Sequence, residues 1–137
     1  MTEEACTTII VGTGMMADGS MIYARSDDST AVKATRLVHY PAGDGPREFV
    51  AIDSPFRCPL PEKRLGFSAL ERADLPYHWG EAGFNDLGVG MSATETIFSS
   101  GKVLALDPYV PEGLAENSVY HIVLPYVKSA REGVLRL

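Results

Sequence analysis

Residues 6–28 read CTTIIVGTGMMADGSMIYARSDD, and the fold turns on how the glycines within that stretch are understood. Cys6 to Val11 is short, β-branched and apolar, the composition of a buried strand, and Gly12 to Gly14 close it. Gly12-Thr13-Gly14-Met15-Met16-Ala17 also fits G-x-G-x-x-A, the fingerprint of a dinucleotide-binding turn. That fingerprint needs a helix to begin at the glycines, so that its N-terminus can hold a pyrophosphate. Here Asp18-Gly19-Ser20 supplies a turn signal too soon for such a helix, and a second strand-like run, Met21 to Arg25, follows at once. No acidic residue stands at positions 32–37, where a ribose-binding carboxylate belongs. The stretch therefore predicts an antiparallel hairpin, with Arg25 and Asp28 returned beside Cys6.

Outward from the hairpin, Thr35 to Tyr40 and Glu48 to Ile52 read as another antiparallel pair, joined through Pro41 to Pro46. Ser54 to Trp79 is interrupted by Pro55, Pro59, Pro61 and Pro76 and reads as a long functional or flexible loop. Asn85 to Gly88 is a turn, and the run from Val89 to Phe98 is strand-like. After Asp107-Pro108 the pattern becomes helical. Glu116 to Leu124 forms one short helix ended by Pro125, and Ser129-x-x-Glu132 is a capping box that opens a second. The sequence stops about two turns into that helix, too short to stand without packing, so we expect the front part of a larger fold.

Of the 137 residues, 45% are hydrophobic and 22% charged, enough apolar material for one core and against disorder. The net charge of −6, with no basic run, opposes nucleic-acid binding. No stretch reaches the roughly 18 consecutive apolar residues of a membrane span. Two Glu stand near the N-terminus where a signal peptide carries basic residues, which points to a cytoplasmic protein. Two cysteines make no disulfide framework, and no Cys or His pair has zinc-ligand spacing. His39, His78 and His121 lie far apart in the sequence and read as structural or surface residues.

The chemistry centres on Cys6. A cysteine at a mature N-terminus carries nucleophile and base on one residue, because its α-amino group (reference pKa about 7.7 to 8.0) can accept the thiol proton. Arg25 would stabilise negative charge on the sulfur, and Asp28 would hold the α-ammonium. The bland alternative makes Cys6 a small buried hydrophobe and Arg25–Asp28 an ordinary surface pair. The residues alone leave both readings open.

Cys6-Thr7-Thr8-Ile9-Ile10-Val11, then Ala17-Asp18-Gly19-Ser20, then Ala24-Arg25-Ser26-Asp27-Asp28 resembles the opening of the cysteine dipeptidases, relatives of the secernins among the N-terminal-nucleophile hydrolases. Gly83-Phe84-Asn85-Asp86-Leu87-Gly88-Val89, Ala93-Thr94-Glu95-Thr96-Ile97, Leu124-Pro125 and Ala130-Arg131-Glu132-Gly133-Val134 resemble the same family in the same order. The resemblance implies an α+β fold, the αββα sandwich of two stacked antiparallel sheets between helices, incomplete here and ending in a helix. It implies hydrolysis of dipeptides through an acyl-enzyme without a metal or organic cofactor, with Met1 to Ala5 removed and residues 6–137 forming the N-terminal part of one domain. Cys6 matches the nucleophile, Arg25 the arginine beside it, and Asp28 the carboxylate that holds the α-amino group. Glu95 falls where acylase relatives carry an oxyanion-hole asparagine. A carboxylate there suits the free α-ammonium of a dipeptide, which makes Thr94 and Glu95 the expected substrate contacts. An acylase of a non-peptide amide, or a non-catalytic truncated member, are the rival readings. Homo-oligomer formation is left open, and His78 would be the first base to consider for an internal thiol.

Overall fold

The computed structural model describes residues 5–28, 33–75, 78–94 and 99–137. The amino-terminal hairpin forms as expected. β1 (Ala5–Val11) and β2 (Ile22–Asp28) pair antiparallel, from Ala5 opposite Asp28 to Val11 opposite Ile22. Between them Thr13–Met15 makes one short 3-10 turn. Asp18 Oδ1 then accepts from Ser20 N at 3.0 Å. No helix opens at the glycines and the second strand is antiparallel, so the dinucleotide geometry is ruled out.

The next strands are β3 (Thr35–Tyr40), β4 (Gly43–Asp44), β5 (Glu48–Val50), β6 (Arg57–Pro59), β7 (Lys63–Arg64), β8 (Phe67–Arg72), β9 (Gly80–Asn85) and β10 (Gly90–Ser92). Two expectations are corrected here. β3 does not pair with the 48–52 run. It pairs along its whole length with β8, while β5 pairs with β6 in a small ribbon. The segment from Ser54 to Trp79 is not one long loop, because β8 lies inside it and joins β3 and β9 in a sheet of order β10-β9-β8-β3. The reason is burial. Phe67, Ala69 and Glu71 point to one face and are almost wholly covered, and Tyr40 stacks on Phe67 with ring centroids 4.7 Å apart. Local prolines said nothing about that long-range pairing.

The helices are α1 (Gly101–Leu106), α2 (Glu116–Val123) and α3 (Ala130–Arg136). α1 begins ahead of Asp107-Pro108, where helix was first expected, with Ser100 Oγ accepting from Val103 N at 3.4 Å. α2 is too short to persist alone and survives by packing. Tyr120 and Leu124 cover Phe67 and Ala69 on the inner face of the sheet, while Ile122, Val123 and Val127 close over Leu60. At Gly80 a Cβ would lie 2.3 Å from Leu70 O and 3.0 Å from Tyr120 Oη, so only glycine lets α2 approach this closely. Pro125 does not end α2 abruptly but sits in a 3-10 turn, Leu124–Tyr126, that continues it. The capping box is real. Ser129 Oγ accepts from Glu132 N, and Glu132 Oε2 reaches back to Lys128 N at 2.7 Å. Among the described residues no helix is long and apolar enough to cross a membrane.

Asn85 joins these parts. It is 2% exposed, and its Nδ2 donates to Leu124 O at 2.9 Å and Val127 O at 2.8 Å. Its Oδ1 accepts from Leu87 N at 3.1 Å and Val89 N at 3.0 Å. The amide thus fills four backbone valences and fastens the β9–β10 turn to the end of α2. Asn85→Ala strands those groups in the interior, and we expect a loss of about 2–4 kcal/mol, read as a lower denaturant midpoint at unchanged slope.

Candidate active site

Cys6 and Thr8 share one face of β1, and Thr8 is the register partner of Arg25 on β2. A long side chain at position 25 therefore reaches diagonally to the sulfur. Arg25 Nη2 donates to Cys6 Sγ at 2.8 Å, and the same nitrogen pairs with Glu81 Oε2. Arg25 and Glu81 are each 12% exposed, so solvent screens the pair weakly. Arg25 Nε is buried with no partner among the described protein atoms, which leaves a donor in the site.

Glu81 owes its position to an irregularity in β9. Leu70 pairs with Ala82 and Glu71 with Gly80, so Glu81 is an extra residue, a β-bulge that turns its side chain toward the hairpin. Three further contacts fix the hairpin against β9 and β10. Tyr23 Oη donates to Gly83 O, Thr8 and Ser92 hydroxyls lie 2.9 Å apart, and the Tyr23 ring occupies the space a Cβ at Gly90 would need, 2.6 Å away. A cleft of about 220 Å³ opens beside Arg25 and Glu81, with Leu70, Ala82 and Trp79 among its walls.

Asp28 lies opposite Ala5, next to the bond that joins Ala5 to Cys6, and accepts from Thr7 Oγ1 at 3.1 Å. Asp27 lies opposite Cys6 itself but is engaged by Lys33 Nζ at 3.0 Å. Thr94 is half-buried and follows Ala93, whose N–H bonds to Glu81 O at 2.8 Å. Glu95 lies outside the described residues. The hairpin thus brings Cys6, Arg25 and Asp28 to one end, and Glu81 joins them. Sequence reasoning missed Glu81, since a bulge leaves no local signature.

A second group of polar residues lies on the sheet face that α2 covers. Glu71 is wholly buried, with Tyr40 Oη donating to its Oε1 at 2.5 Å and Tyr120 Oη at 3.2 Å. His78 Nδ1 stands 2.6 Å from Tyr40 Oη and 3.3 Å from Glu71 Oε2. His121 Nε2 comes within 3.5 Å of Glu71 Oε1. Burial pushes Glu71 up, but the nearby His121 and the hydrogen bonds from Tyr40 and His78 outweigh it and hold its carboxyl at about 2. Burial pushes His121 below the ordinary histidine value. Burial, reinforced by the Glu71 charge, raises Tyr40 and Tyr120, so both phenols stay protonated. His78, the first alternative base, belongs to this group.

The N-terminal hairpin thus sets a thiol against a nearly buried guanidinium, beside a mixed α and β core. The chain belongs to peptidase family C69, whose sequence profile it matches over residues 5–137. It is 42% identical to "Probable dipeptidase B" of Lactococcus lactis over 98% of this chain and 29% of that protein. It is 42% identical to "Dipeptidase" of Bifidobacterium longum, over 97% of this chain and 28% of that protein. With "Probable dipeptidase" of Salmonella dublin the identity is 43%, over 94% and 30% respectively. The chain thus spans less than a third of the length of these relatives.

The two cysteines provide an internal comparison, since Cys58 has no guanidinium on its sulfur among the described contacts. Cys6 should be alkylated by iodoacetamide faster than Cys58. Arg25→Gln, which removes the cation beside the sulfur, should slow Cys6 and leave Cys58 unchanged. Peptide mapping after timed alkylation reads both rates.

Proposed function

We propose that the chain is the N-terminal part of a cytoplasmic cysteine dipeptidase of the N-terminal-nucleophile type, with Cys6 as nucleophile after removal of Met1 to Ala5. The observation that carries this reading is the 2.8 Å contact from Arg25 Nη2 to Cys6 Sγ on a hairpin whose end also holds Asp28. The names of the relatives support a dipeptide as substrate. The exposed apolar side chains of Leu37, Leu70 and Phe84, on the sheet face away from α2, support an αββα sandwich in which a second sheet covers that face.

In this mechanism the α-amino group of Cys6 takes the thiol proton, and the sulfur attacks the peptide carbonyl carbon. Arg25 stabilises the sulfur's charge, and Glu81 holds Arg25 in place. The tetrahedral intermediate collapses, the C–N bond breaks, and the protonated α-amine gives its proton to the departing amine. Water then attacks the thioester, releasing the N-terminal amino acid and restoring the thiol. Asp28 sits beside the Ala5–Cys6 bond, where it would receive the new α-ammonium, and the Lys33 pairing of Asp27 leaves Asp28 for that task. Thr94 and Glu95 are the proposed substrate contacts. The backbone bond from Ala93 to Glu81 starts their segment beside the site, and the Glu95 carboxylate would pair with the dipeptide's α-ammonium.

An amide nitrogen is not basic near neutral pH, so an unprocessed chain keeps its thiol and lacks its proton acceptor. With the protein expressed at its full native length, a version starting at Cys6 should outpace one whose Met1 to Ala5 segment resists removal by about 10²- to 10⁴-fold. Equal dipeptide hydrolysis by both would exclude the α-amino base. In the same assay, Glu95→Gln should weaken free dipeptides far more than N-acylated ones.

A further inference from the structure

We propose that Glu71, His78 and His121 form a binding site for a divalent transition metal of the zinc class, on the sheet face that α2 covers. The three residues come from β8, from the segment just before β9, and from α2, and one ligand atom from each lies within 4.8 Å of the others. His78 Nδ1 is 3.3 Å and His121 Nε2 is 3.5 Å from Glu71 Oε1. Against the roughly 3.3–3.4 Å ligand spacing of a tetrahedral ion with bonds of about 2.0–2.1 Å, both edges to Glu71 already stand within tenths of an ångström, and the third closes as the two imidazole nitrogens, within 4.8 Å of each other, draw together. His121 Nε2 is buried and has no hydrogen-bond partner among the described residues. An orphaned buried ring nitrogen is costly, and a metal bond would relieve it.

The surroundings suit an ion. Two imidazoles and one carboxylate favour zinc, cobalt or nickel over magnesium or calcium, which prefer oxygen donors. Tyr40 and Tyr120 hydroxyls hold the Glu71 carboxylate from behind, the kind of support that fixes a ligand's orientation. His78 and His121 line a cavity of about 320 Å³, and the half-exposed His78 side chain leaves a route for the ion and a water as fourth ligand. Two features oppose binding. Tyr40 Oη occupies His78 Nδ1 at 2.6 Å and must give it up, and the Arg64 guanidinium stands 6.0 Å from the Tyr40 ring centroid. A bound ion would clamp α2 to β8 and β9, so its function is to hold the core together, with no part in the Cys6 chemistry.

The test strips the purified protein of metal with a chelator and titrates it with Zn²⁺ against a chromophoric competitor, using Co²⁺ absorption to report coordination. One Zn²⁺ per chain and a tetrahedral Co²⁺ spectrum are expected. His78→Gln should weaken binding by at least about a hundredfold, the upper end of what losing an outer-shell partner costs. Its half-exposed position makes it a safe substitution for folding, which circular dichroism would verify. No stoichiometric Zn²⁺, or equal affinity in wild type and His78→Gln, would overturn the proposal.

Discussion

Between Leu70 and Glu71 the ladder joining β8 to β9 takes in one extra residue, Glu81, and the geometry on both faces of the sheet follows from that slip. On the inner face it sets Gly80 opposite Glu71, which clears room for Tyr120 and lets α2 settle. On the other side it delivers a carboxylate to Arg25, which holds the guanidinium against Cys6. A regular ladder would send Glu81 and its neighbours to alternate faces in the usual period of two, and one of these arrangements would be lost.

Arg25 is accordingly shared between two groups, a sulfur and a carboxylate. Removing Glu81 would leave a nearly buried cation with only the thiol to face among the described residues, a costly state compared with losing an exposed pair. Glu71 meets a similar problem on the inner face. Two phenols and a half-exposed imidazole supply its hydrogen bonds, and Asn85 meanwhile satisfies the backbone at the end of α2.

What could be read from the sequence was local or spaced by a tight hairpin. CTTIIV, the Asp18-Gly19 turn and the β2 run carried their own register, so the approach of Arg25 to Cys6 followed. The Ser129–Glu132 box was equally legible, because a cap is a contact between near neighbours. β8 was not. Its pairing with β3 spans a proline-rich stretch, and Phe67-Ser68-Ala69-Leu70-Glu71 lacks a plain alternation because it buries a carboxylate among small residues. The Glu71–His78–His121 group was invisible for the same reason. Its members meet only after β8, β9 and α2 have packed.

In the proposed mechanism Cys6, freed at its own amino group, is the residue whose sulfur receives the acyl group. Acid-quenching the full-length protein during turnover of a dipeptide, followed by peptide mass mapping, tests it most directly. The expected product is a peptide that begins at Cys6 and carries the mass of the substrate's N-terminal residue as a thioester. An acyl group on any other residue, or turnover by protein in which Ala5 is still joined to Cys6, would contradict it.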